Sequence, residues 1–84
     1  MLKKQILFYS SSSCGPCRMA KQQLTEEKLN ELNVEITNYS AEVDWETFAK
    51  FNVASVPTFI SLDDNGEEKI RKVGFKSLED IKEL

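Results

Sequence analysis

Cys14 and Cys17 are the only cysteines in the chain, and they stand two residues apart in Ser13-Cys14-Gly15-Pro16-Cys17-Arg18. Two thiols at this spacing can close a disulfide and reopen it, the chemistry of thiol–disulfide exchange. The attacking species is the thiolate, and a cysteine at a helix start is more acidic than the free thiol, whose pKa is about 8.5. Pro16 is tolerated only near a helix beginning, where its missing N–H is not needed. The pair therefore belongs on a first turn. Cys14, at the positive end of the helix dipole, is the expected nucleophile. Cys17, deeper in the turn and more buried, is the expected resolving thiol.

Other uses of the pair are weaker. A zinc site needs four ligands, and two cysteines in a chain without histidine supply half of one, so no metal is expected. The absence of histidine also excludes a Cys–His nucleophile. A purely structural disulfide is out of place in a cytosolic chain. A Cys-x-x-Cys beside a βαβ pattern is a fairly specific redox signal.

The elements that must position the pair follow from the hydrophobic pattern. Gln5 to Tyr9 contains the continuous apolar run Ile6-Leu7-Phe8-Tyr9, which predicts a strand buried on both faces. The serines at 10–13 predict a loop, with a serine helix cap as an alternative. Cys17, Ala20 and Leu24 recur at helical spacing, and Leu29 and Leu32 continue the stripe past a bend near Thr25. Val34, Ile36 and Asn38 alternate with polar residues as a second strand, followed by a loop over 39–43. Asp44 is read as an N-cap. Trp45, Phe48 and Ala49 share one face of a short helix over 45–51 that Asn52 ends. Thr58-Phe59-Ile60-Ser61-Leu62 is a strand, Asp63-Asp64-Asn65-Gly66 a hairpin turn, and Glu68 to Val73 the returning strand. Ser77-Leu78-Glu79-Asp80 resembles a capping box, opening a last helix with Leu78, Ile81 and Leu84 on its apolar face.

Composition bounds the rest. Eighty-four residues predict a single domain spanning residues 1–84. A net charge of −3 argues against nucleic-acid binding, which calls for a basic face. No stretch approaches the ~20 apolar residues of a membrane span. The start, Met1-Leu2-Lys3-Lys4-Gln5-Ile6-Leu7-Phe8, is too short in its apolar part to act as a secretory leader, so the expected compartment is the cytoplasm.

Three stretches resemble the thioredoxin family: Cys14-Gly15-Pro16-Cys17 after a buried strand, Phe51-Asn52-Val53-Ala54-Ser55-Val56-Pro57-Thr58-Phe59, and Asn65-Gly66-Glu67 followed by Lys72-Val73-Gly74-Phe75. The resemblance runs from about Gln5 to the end. It implies an α/β thioredoxin-like fold of order β-α-β-α-β-β-α, with a four-stranded mixed sheet of order 2-1-3-4 flanked by three helices. It implies that Pro57 is cis and lies against the cysteines, although only about 5–6% of X–Pro bonds are cis. It implies that Val56 offers backbone groups to a substrate strand, and that Gly15, Pro16, Val56, Pro57, Gly74 and Phe75 form an apolar rim around Cys14. In bland terms, Gly74 is a strand end and Phe75 a cap on the last helix.

The function so implied is that of a monomeric protein-disulfide reductase, an electron carrier whose only redox group is the Cys14–Cys17 disulfide, with no bound cofactor. Its substrates would be protein disulfides, and an NADPH-dependent flavoprotein, thioredoxin reductase, would recycle it. One alternative is a glutathione-dependent, glutaredoxin-like reductase, disfavoured because Val73-Gly74-Phe75-Lys76-Ser77 lacks a Gly-Gly pair. Another is a non-catalytic binding subunit on the same fold.

The chain also departs from the family. It starts at the family's second strand. Ser13 stands where a tryptophan usually precedes the first cysteine, and Phe8 where a buried aspartate is usual. With Phe8 there, Cys17 must lose its proton through water or a neighbouring carboxylate. Trp45 is read first as core. The alternative places it with Tyr39 on the substrate surface, at the strand-end edge where ligands of such sheets bind.

Overall fold

A computed structural model describes residues 3–84; Met1 and Leu2, the first residues of the stretch weighed as a leader, lie outside the described residues. Strand β1 (Lys4–Ser10) is central. It pairs in parallel with β2 (Val34–Ser40), Ile6 opposite Ile36, and antiparallel with β3 (Thr58–Leu62), Phe8 opposite Phe59. β3 pairs antiparallel with β4 (Glu68–Val73), so the order is β2-β1-β3-β4, as expected. The apolar run of β1 is buried on both faces: Ile6, Leu7, Phe8 and Tyr9 are all 6% exposed or less. Ile6 and Phe8 join one core with Ala20, Val34, Phe59, Ile81 and Leu84, while Leu7 and Tyr9 join a second with Ile60, Phe48 and Phe51.

Among the described residues four helices stand where three were expected, because the first is divided at the bend. Helix α1 (Gly15–Gln23) ends at Leu24, whose N–H donates to the Ala20 carbonyl at 2.9 Å. Thr25 then turns extended (φ −71°, ψ 161°) and caps α2 (Glu26–Leu32), its hydroxyl accepting from the Lys28 N–H at 3.2 Å. Glu26 and Glu27 in the first turn suit the dipole of the new helix. β2 runs through Tyr39 and Ser40, two residues past the expected end, and Tyr39 stacks on Tyr9 with ring centroids 5.2 Å apart. Tyr39 is therefore half-buried beside the second core instead of lining a substrate surface.

Helix α3 (Trp45–Lys50) presents a different face from the one expected. Thr47 and Phe48, with Phe51 beyond the helix end, turn inward, and the Thr47 hydroxyl lies 3.0 Å from that of Tyr9. Trp45 is 66% exposed, so its reading as core is overturned, and Ala49 is exposed as well. Residues 47, 48 and 51 share an arc of about 100°, and 45 and 49 lie to one side of it, beyond Phe48. Asp44 precedes the helix without capping it; its carboxylate accepts instead from the Ser40 N–H at 2.8 Å. Arg71 of β4 closes the far end by donating to the Phe51 and Asn52 carbonyls while bound through two nitrogens to Glu68.

In the hairpin turn only Gly66 takes a positive φ (79°), and Asn65 does not. The Asp63 carboxylate shapes this turn by accepting from the Asn65 and Glu67 N–H groups at 2.8 and 3.0 Å. Helix α4 (Glu79–Lys82) carries half of the expected capping box: Asp80 reaches back to the Ser77 N–H, but the Ser77 hydroxyl accepts from Glu79 instead of Asp80. Since Trp45 is the sole tryptophan, iodide should quench the fluorescence of the folded protein nearly as well as that of a free indole. Strong protection from iodide would contradict this placement.

Candidate active site

The loop from β1 to α1 delivers the cysteines to the strand-end edge of the sheet. Cys14 is the N-cap of α1 (φ −95°, ψ 110°), and its Sγ accepts a hydrogen bond from the Cys17 N–H at 3.1 Å. The cap is thus the cysteine itself and not one of the preceding serines. Pro16 lies in the first turn, as its chemistry requires. The two sulfurs are joined in a disulfide, with Cα atoms 5.2 Å apart. Cys14 keeps 9% of its surface exposed and Cys17 1%, so one sulfur is at the rim and the other is sealed beneath it. The loop is anchored from the side: the Ala41 N–H donates to the Ser10 carbonyl at 2.9 Å, and the Ser12 N–H donates to the Glu42 carboxylate. The Ser40 hydroxyl, with that N–H, holds the Glu42 carboxyl below the usual carboxylate range.

The bed beneath the disulfide is apolar. Phe8 stacks on Phe59 at 4.5 Å between centroids, and Phe59 meets Phe75 at 5.9 Å. Both cysteines belong to this core. The buried polar side chains among the described residues are Ser10, Thr58 and Ser61, none of them an acid. Phe8 is 1% exposed, in the position where the family's aspartate was expected to be missing.

The Val56–Pro57 bond is cis, and the Pro57 carbonyl accepts from the Gly74 N–H at 2.8 Å, which brings the two loops together. Gly74 takes a φ of 92°, a conformation other residues rarely adopt. Pro16, Val56, Pro57, Gly74 and Phe75 line one groove. Gly15, the sixth residue of the expected rim, is an exposed first residue of α1 and does not line it. Phe75 is 6% exposed, so it is part of the core bed more than of an open rim, and not a helix cap.

Four further residues of the groove, Lys72, Val73, Lys76 and Asp80, were not among the expected site residues. The available signal was adjacency, since Lys76 directly follows Phe75. The Asp80 carboxylate accepts from the Lys76 and Ser77 N–H groups at 2.7 and 3.3 Å and pairs with Lys72. Those backbone bonds, the Lys76 one first, hold its carboxyl low. Lys72 also pairs with Glu83, which raises its ammonium pKa.

With this geometry in place, residues 2–84 match the family model of a thioredoxin-like domain. The SPbeta prophage-derived thioredoxin-like protein YosR of Bacillus subtilis is 38% identical over 64 residues, which cover 76% of this chain and 74% of the relative. Thioredoxin of Bacillus subtilis is 40% identical over 73 residues, covering 84% of this chain and 68% of the relative. Reduced Schistosoma mansoni thioredoxin pre-protein superposes with a TM-score of 0.82 at 26% identity, covering 98% of this chain and 75% of that one. A mutant thioredoxin from Halobacterium salinarum, 20% identical and with a TM-score of 0.84 over 98% of this chain and 71% of that one, is alike in fold alone.

The unequal exposure of the two sulfurs sets a first chemical test. In the reduced protein, substoichiometric iodoacetamide should label Cys14 well before Cys17, read by peptide mass mapping. Equal or reversed labelling would show that the sulfur buried in the oxidised form is not shielded.

Proposed function

The chain belongs to the thioredoxin-like family, and we propose that it reduces protein disulfides by dithiol exchange through Cys14 and Cys17. The family and the closed cysteine pair make it a thiol–disulfide oxidoreductase. The observation that carries the finer reading is the asymmetry of the pair: Cys14 heads α1, keeps 9% of its surface exposed and receives the Cys17 N–H, while Cys17 keeps only 1%. That N–H and the helix dipole stabilise a Cys14 thiolate in the reduced protein, because hydrogen bonds to the charged form lower a pKa.

The Cys14 thiolate attacks one sulfur of a substrate disulfide. That bond breaks, one substrate sulfur leaves and takes a proton, and a Cys14–substrate mixed disulfide forms. Cys17 then loses its proton and attacks the Cys14 sulfur. The second substrate thiol departs, and two electrons have passed from the pair to the substrate. Pro16, Val56, Pro57, Gly74 and Phe75 hold the substrate segment, with Gly15 flanking, and the backbone of Val56 offers it hydrogen bonds. The carrier needs no cofactor beyond its own disulfide. It works as a monomer in the cytoplasm, recycled by a flavoprotein reductase that draws on NADPH. Among the described residues, no helix is long and apolar enough to cross a membrane.

Phe8 gives this cycle a particular slow point. No buried acid lies near Cys17 among the described residues, so its proton leaves through water or an external base. General bases accelerate such transfers by roughly 10²–10⁴-fold when they are positioned internally.

Three measurements test the reading. With dithiothreitol, the protein should accelerate insulin reduction, Cys14→Ser should abolish this, and Cys17→Ser should accumulate mixed disulfides; activity surviving in Cys14→Ser would sink the assignment. NADPH with thioredoxin reductase should recycle the protein faster than NADPH with glutathione and its reductase; the opposite order would move it to the glutathione-dependent class. In stopped-flow experiments, the resolving step should quicken with buffer-base concentration in the wild type and quicken further in a folded Phe8→Asp variant. Neither response would mean that Cys17 already has a base.

A further inference from the structure

The groove beside the disulfide is apolar along Pro16, Val56, Pro57, Gly74 and Phe75, and its charged residues are Lys72, Lys76 and Asp80. Their charges are not equally available. Lys72 lies between two carboxylates, Asp80 at 3.5 Å and Glu83 closer still. Asp80 is occupied in turn by Lys72 and by the Lys76 and Ser77 N–H groups. The Lys76 ammonium makes no ion pair among the described residues, and its side chain is exposed. Its backbone is fixed by the 2.7 Å bond to Asp80, so the stem of Lys76 leaves the groove wall from a set point.

We propose that Lys76 is a specificity residue that selects disulfides carrying an acidic residue beside the attacked cysteine. This rests on the redox reading above and adds the chemical class of its substrate. The chain as a whole is acidic, with a net charge of −3. One uncompensated cation at the wall of the substrate groove therefore runs against the overall field, and it meets whatever side chain flanks the substrate cysteine. A carboxylate there gains a cationic partner that no other carboxylate holds, whereas a lysine there is repelled. Charges at the rim of a binding site set selection and association rate more than total affinity. An exposed pair contributes only up to ~1 kcal/mol, so the selection should amount to a factor of roughly two to five.

The test uses disulfide-linked dimers of one short peptide, with its cysteine flanked by Glu, by Gln or by Lys. The wild-type protein should reduce them with kcat/KM in the order Glu, Gln, Lys, the Glu-to-Gln ratio being about three at low salt. Half-molar salt should bring that ratio close to one by screening. Lys76→Gln should collapse the ratio, Lys76→Arg should keep it, and Lys28→Gln, remote on α2, should leave it as it is. Equal kcat/KM for all three peptides in the wild type, or a ratio that persists in Lys76→Gln, would overturn the assignment while leaving the redox reading intact. Reduction of none of the peptides would instead fail the redox reading and this inference with it.

Discussion

The structure depends on the stack of Phe8 upon Phe59. These rings face each other across the β1–β3 ladder, and Phe59 carries the stack on to Phe75 beyond β4. Three chain segments distant in sequence are tied behind the cysteines, and α1 and α4 dock on the same core through Cys17, Ala20 and Ile81. Each buried ring of this size contributes ~1.5–3 kcal/mol from burial alone, a large share of the stability of a domain this small. An ionised carboxylate at residue 8 would face a desolvation penalty of several kcal/mol. The chain thus has an apolar bed in the place where a proton acceptor could have stood. On the dithiol-exchange reading proposed above, stability and the rate of the resolving step are set against each other at one residue.

The other face of the sheet shows how so short a chain avoids an exposed apolar surface. Among the described residues it is covered by α3, six residues long, and by Phe51, Val53 and Val56 of the segment after it. The second core is correspondingly small, centred on Leu7, Tyr9 and Ile60. On β2, the residues alternating with the buried Val34 and half-buried Ile36 are Glu35 and Thr37, both exposed. They are polar where no helix lies over them, so that face needs no further cover. Arg71 compensates for the short helix by holding the Phe51 and Asn52 carbonyls, groups that a helix end leaves without internal partners. Its pairing with Glu68 keeps the guanidinium aimed there.

Features governed by local chemistry could be read from the residues. The double burial of β1 followed from four consecutive apolar residues, the first-turn position of the cysteines from Pro16, and the turn at Gly66 from its neighbours. The division between α1 and α2 was visible as a bend, but that Thr25 would turn extended and start a new helix depends on one hydroxyl reaching the Lys28 N–H. Features decided by distant partners could not be read. Trp45 is exposed because Tyr9, 38 residues away from Thr47, draws a different face of α3 inward. Asp80 resembled a cap residue, and its role in fixing Lys76 and pairing Lys72 appears only once β4 and α4 are side by side. Arg71 alternates with other basic residues of β4, and nothing local marks its reach of 19 and 20 residues back to the end of α3.

The proposed assignments place reactivity and selectivity in different parts of the molecule. The properties of the Cys14 sulfur come from the start of α1 and from the apolar bed beneath it, which lies in the core and tolerates little change. The part of the groove wall from Gly74 to Lys76 is loop, built on the Pro57–Gly74 backbone bond and the Asp80 bonds to Lys76 and Ser77. Those bonds fix the main chain and leave the side chain of residue 76 outside the packing. On the proposed reading, a substitution there would alter the charge met by a substrate without disturbing the stack or the helix start. The same separation explains why Lys72, though it lines the groove, is a poor site for such adjustment. Its ammonium joins β4 to α4 through Asp80 and Glu83, so removing it would leave two carboxylates without their shared partner and loosen the helix that packs Ile81 and Leu84 beneath the cysteines.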